Sequence, residues 1–191
     1  MPKIVDHEKM RATLMERAFG LFAEQGFHGV SMRDLGVKLE VSTGTLYHYF
    51  SNKNDLFAAM IQHLVQGDIQ DVLGQIQELS QPQERIRAVL KHVSEKETYF
   101  HNLLFLLFDF YRTRQDTAEA PSPTASFFTE SLRFYREAIS ENMGHLDERT
   151  AQMLISTIIG TLVQRILDPT ALTLESMAPY MEALNEIHAT N

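Results

Sequence analysis

The chain has no cysteine and no tryptophan. Disulfides, thiolate chemistry and cysteine-based zinc sites are therefore excluded. Its N-terminal stretch, MPKIVDHEKM, lacks the apolar run of a signal peptide. No unbroken apolar run is longer than the six residues of Leu103 to Phe108, far too few to cross a bilayer. A soluble, cytoplasmic protein without a membrane partner is expected. Among the eight histidines no pair has the i, i+4 spacing of a helical metal pair, so neither a metal nor a cofactor is predicted. Strand-type alternation, internal repeats and low-complexity tracts are missing as well. What remains is helical periodicity almost from end to end. At 191 residues, 44% of them hydrophobic, the chain has room for one domain or for a small one joined to a larger.

Net charge is -8, unusual for a nucleic-acid binder, but it is unevenly spread. Residues 1–55 hold seven basic and seven acidic side chains, whereas residues 56–191 hold ten and eighteen. The acidic part would be repelled by DNA and would turn the neutral end toward it.

That neutral end contains the most informative stretch, Ser31 to Phe50, SMRDLGVKLEVSTGTLYHYF. Ser31 is a good N-cap, and Asp34 suits the positive end of a helix dipole. Leu35 and Leu39 share one face, and Gly36 leaves room for a second helix to cross. Val41 follows the turn, Ser42 or Thr43 caps the next helix, and Leu46 and Tyr49 form its buried side. This is the apolar pattern of a helix-turn-helix. The outer face of the second helix then presents Thr43, Thr45, Tyr47 and His48, donors suited to base edges and phosphates in a major groove. Gly44 would let backbone approach phosphate, and Arg33 and Lys53 are candidate phosphate contacts.

The run Val41-Ser42-Thr43-Gly44-Thr45-Leu46-Tyr47-His48-Tyr49-Phe50, followed by Asn52-Lys53-Asn54-Asp55-Leu56, closely resembles the DNA-binding domain of the TetR family of bacterial regulators. Ala18, Phe22, Gly26 and Phe27 resemble the first helix of that domain. The turn position usually filled by glycine, because it tends to need positive φ, holds Glu40. The resemblance implies an all-α fold: a three-helix DNA-binding head over 1–52 and a bundle of about six helices over 53–191 for ligand binding and dimerisation. It implies Ser42, Thr43, Gly44, Thr45, Tyr47, His48 and Lys53 at the DNA.

Downstream periodicity predicts helices over about 53–79, from Ser80-Gln83 onward, and over 97–114, 125–143, 147–167 and 174–188, the last interrupted by Pro179. Ser51 is the expected cap of the fourth, and Ser80 with Gln83 the capping box of the fifth. The sixth, apolar nearly all round, is expected at the centre of the body. Phe100, His101, Phe105, Phe108, Asp109, Arg112 and Phe128 are the candidates for an apolar ligand pocket with a few polar anchors, a place where the resemblance also implies one. The last two helices, too apolar for one-sided burial, are expected to form a homodimer.

The function that follows is a dimeric repressor, released from double-stranded, palindromic operator DNA by a small hydrophobic or aromatic effector. The alternative is a helical regulator or adaptor controlled by a protein partner. An enzyme is not expected: Ser42, His48 and Asp55 could be imagined as a triad, but they lie on short neighbouring helices with no nucleophile elbow or oxyanion loop.

Overall fold

The structure, a computed structural model, describes residues 3–115, 123–142 and 148–189. They form nine helices and no strand: α1 Lys3–Gly29, α2 Met32–Leu39, α3 Thr43–Tyr49, α4 Lys53–Ile76, α5 Pro82–Glu95, α6 Glu97–Gln115, α7 Pro123–Asn142, α8 Glu148–Leu167 and α9 Leu174–Ala189. Side chains are described for 7–112, 130–142 and 149–183. The all-α expectation holds.

Local chemistry sets the helix ends. Ser31 and Asp34 form a reciprocal capping box at the start of α2. The bonds from Ser31 hold the Asp34 carboxyl below its ordinary value. A carboxyl lowered by folding adds stability above its unfolded value, and that part is lost as pH falls through the folded one. Ser42, rather than Thr43, caps α3, accepting from the backbone N–H of Thr45 at 2.9 Å. Two expected caps fall elsewhere. At α4 it is Asn52, not Ser51, whose side chain accepts from the N–H of Asp55. At α5 no capping box forms: Gln81 is the cap residue, without a side-chain bond, and Pro82 supplies a preset φ in the first turn.

The turn after α2 closes through Glu40 N–H to Val37 O and Val41 N–H to Gly36 O, the Schellman pattern. Glu40 sits there at φ 59, ψ 39, a left-handed conformation in a residue with a side chain. A Cβ on Gly36 would lie 3.1 Å from the carbonyl oxygen of Val41, so only glycine lets the turn fold back this tightly. Left-handed backbone costs an L-residue about 1–2 kcal/mol, partly offset by the freedom glycine has when unfolded. Glu40→Gly is therefore expected to stabilise the protein by about 0.5–1 kcal/mol. A thermal midpoint unchanged or lowered in the variant would show that the Arg17–Glu40 pair, 3.9 Å apart, outweighs the relief.

The chain divides into two compact units, residues 1–66 with 102–129 and residues 67–101 with 130–191. The first is larger than a head ending at residue 52. Its core joins Leu14, Ala18, Phe22, Leu35, Leu39 and Leu46 to Phe57, Met60 and Ile61 of α4 and to Leu106 and Phe110 of α6, all buried. Phe27 is in ring contact with both Phe57 and Phe110, at 4.9 and 4.8 Å, so these helices share one aromatic cluster.

In the second unit α5 packs on α9 and α8 on α9. Inside it, Asp68 takes a hydrogen bond from Tyr135 at 3.1 Å and pairs with His92 Nε2 at 2.9 Å. Gln75 meets the other ring nitrogen of His92, and Lys96 adds an ion pair to Asp68 at 3.6 Å. Asp68 and His92 are buried, and this network of charge and hydrogen bonds is what makes their burial tolerable. Burial and then Asp68 push the Tyr135 hydroxyl well above its ordinary value.

Candidate nucleic-acid interface

The recognition element is α3, seven residues long, too short to stand alone in water. Tertiary contacts hold it. Leu46 is fully buried and Phe50 just beyond nearly so, while Tyr49 is half-buried. Opposite them Tyr47, 54% exposed, and His48 project to solvent. Ser42 and Thr45 are hydrogen-bonded to each other at 2.7 Å, so both hydroxyls first serve the cap and offer a groove their remaining capacity. Thr43 is half-buried: its hydroxyl oxygen stands 3.5 Å from where a Cβ on Gly36 would be. Gly44 is exposed, with only Ser42 near its missing side chain. Arg33 is exposed on the first turn of α2. Arg17 of α1 donates to Leu39 O at 3.0 Å and fixes the end of α2 beside the turn.

Lys53 has a structural task that its spacing did not announce. Its ammonium donates to Phe27 O and Val30 O, both at 2.8 Å, and lies 4.2 Å above the Phe27 ring. Burial lowers its pKa, and the nearby carboxylate of Asp109 works against that. An ammonium has three donors, so one is left for a phosphate.

Asp109 belongs to the same junction. Its carboxylate accepts from the backbone N–H of Phe27 at 2.9 Å. That N–H is freed because Gly26, at φ 73, ψ 167, breaks α1 there. Three further residues, through Gly29, are helical beyond the break. A Cβ on Gly26 would lie 3.1 Å from Asp109 Oδ2. One residue, Phe27, is thus held by its N–H from α6, by its carbonyl from α4 and by its ring from both.

Residues 14–60 match the family described as bacterial regulatory proteins, tetR family. The matched stretch holds α2 and α3, so the helix-turn-helix end of the chain is that family's DNA-binding domain in kind. It is similar to the HTH-type transcriptional regulator PksA of Bacillus subtilis (strain 168), 27% identical over 176 residues, 88% of this chain and 84% of that protein. It is also similar to the HTH-type transcriptional regulator HbdR of Aromatoleum sp. (strain CIB), 32% identical over 85 residues, 44% of this chain but only 36% of that one. Among solved structures, the regulator FadR from Bacillus subtilis, in complex with stearoyl-CoA, has the same fold, with TM-score 0.66 and 20% identity over 90% of this chain and 95% of that one. The chain is a transcriptional regulator with a DNA-binding helix-turn-helix, and not an enzyme.

The body of this regulator is less like the expectation. Of the candidate pocket residues, Phe100 is buried in the second unit, 5.0 Å from the Tyr99 ring. His101 Nε2, beside it, has no hydrogen bond and lies 3.6 Å from Glu97 Oε1. Phe105 and Phe108 belong to the first unit and are 53% and 54% exposed, because the buried face of α6 is Leu103, Leu106 and Phe110. The sixth helix is therefore one-sided among the described residues rather than central. Asp109 is engaged with Phe27, and the exposed Arg112 stands 3.6 Å from it. The side chain of Phe128 lies outside the described residues. A cavity of about 340 Å³ does occur in the second unit, but between α4, α5 and α7, lined by Leu73, Ile76, Gln77, Arg85 and Asn142. Arg85 braces it, donating to Leu79 O at 2.7 Å and to Asn142 O. None of these five residues stood out in the sequence, because they come from at or beside the ends of three separate helices, α4, α5 and α7.

Proposed function

We propose that the chain is a dimeric cytoplasmic repressor that occupies a two-fold operator and leaves it when a small hydrophobic or aromatic effector enters the body. The observation that carries the reading is the exposed face of α3, where Tyr47 and His48 stand clear of a rigidly capped, buried-backed helix. Ser42, Thr43, Gly44 and Thr45 at its start, with Arg33 and Lys53 flanking, supply hydroxyl, backbone and cationic contacts of the kind that position a protein on phosphates. Dimerisation is supported by the apolar residues α8 and α9 leave outside: Met153 on α8, Leu167 at its end, 81% exposed, and Tyr180 on α9. The cavity beside Leu73 and Ile76 is large enough for a small effector.

Footprinting on duplexes selected from a random library tests the operator. The expected result is two protected half-sites about 34–36 Å apart, one helical turn, or a little more. Protection of a single asymmetric half-site by a monomer would refute the dimeric reading. A panel of hydrophobic and aromatic compounds tests the effector: a binder should raise the melting temperature and weaken operator binding about 5–150-fold. A panel that shifts neither would refute the effector.

A further inference from the structure

The reading helix is gripped at its far end by the first turns of α1. The His7 ring lies 4.4 Å from the Tyr49 ring, tilted 37°, and 5.4 Å edge-on from the His48 ring. His48 and Tyr49 are themselves in edge contact at 5.2 Å. One turn further along α1, the guanidinium of Arg11 sits 4.9 Å over the Phe50 ring. His7 and Arg11, four residues apart on one helix face, thus bracket the last turn of α3. Among the described residues, the ring contacts of His48 are these two, with His7 and Tyr49.

We propose that His7 is a specificity-determining positioning residue for duplex DNA, acting through His48. The inference rests on the reading of His48 as a base-edge contact. An exposed imidazole on a helix surface exchanges between staggered rotamers, and a bidentate or directional contact to a base requires one of them. His7 closes part of the space His48 would otherwise sweep, and holds the ring at a fixed angle before DNA arrives. Ordering such a side chain in advance removes a cost otherwise met on binding. His7 is exposed, and among the described residues its ring contacts are with His48 and Tyr49 of α3, so its contribution lies in the reading face and not in the core.

The test is selection of duplexes from a random library by the full chain and by His7→Ala, His7→Phe and His48→Ala, with affinities on the wild-type consensus. His7→Ala is expected to bind that consensus about two- to tenfold more weakly. It should relax base preference at the same base pairs that His48→Ala relaxes, leaving the other positions intact. His7→Phe, which keeps a ring against His48, should restore most of the preference. The thermal midpoints should stay close to that of the wild type. An unchanged consensus and affinity in His7→Ala would overturn the proposal. So would a uniform loss on all sequences with no change of preference, which would make His7 a general contact. A wild-type protein that enriches no sequence would overturn the assignment of His48 itself, and the role of His7 with it.

Discussion

Gly26→Ala is expected to destabilise the first unit by about 2–4 kcal/mol, more than any surface change in this protein. At φ 73, ψ 167 the backbone occupies a region that is essentially reserved for glycine. Conformations of this kind cost other residues about 1–3 kcal/mol. The added methyl would also press on Asp109 Oδ2 at 3.1 Å, the atom that accepts from Phe27 N–H. Relief by moving Asp109 leaves that N–H without its carboxylate, and relief by straightening α1 moves Phe27 out of its aromatic cluster. Either route should show as a lower urea midpoint and faster amide exchange at Phe27. Equal midpoints for variant and wild type would mean that α1 can run through position 26 unbroken.

Lys53→Met is the second large effect, and it separates two roles of one side chain. Methionine keeps much of the stem but donates nothing to Phe27 O and Val30 O. Hydrogen bonds to charged groups contribute about 1.5–3 kcal/mol each, less where water can replace them, so a loss of about 2–4 kcal/mol is expected for this half-buried pair. The same variant should flatten the salt dependence of operator binding by about one in slope if the third donor meets a phosphate. Measured at a temperature where both proteins are folded, a lower midpoint with an unchanged slope would leave Lys53 a structural cation and remove it from the DNA.

The reading motif was legible because it is local. Caps, the i, i+3 and i+4 apolar residues and the turn all lie within Ser31–Phe50, and the structure places Leu35, Leu39 and Leu46 in the core. Even the unusual turn residue was readable: Glu40 takes the left-handed backbone that the motif asks of glycine. What escaped was long-range. Asp109 lies 82 residues from Phe27, and no spacing rule connects a carboxylate on one helix with a broken turn on another. An acidic residue within an aromatic helix reads equally well as a ligand anchor or as a cap for a distant N–H. His7 and His48 are hidden for the same reason. The apolar surface of α6 misled in a different way: composition counts aromatic residues but does not say which face they leave outside.

The junction around Phe27 bears on how this protein can be taken apart and recombined. A cut after residue 52 would keep every residue proposed to read bases and discard the cation, the carboxylate and two of the rings that hold Phe27. Such a fragment should be a poor transplant. A chimera that grafts this reading specificity onto a foreign body would have to bring residues 53–66 and the stretch around 102–112 with it, or find in its host an acid and an aromatic ring at the same two places. Sequence divergence at positions 26, 53, 109 and 110 should then be correlated. Exchange of heads among relatives would be limited by these four side positions more than by the reading helix itself.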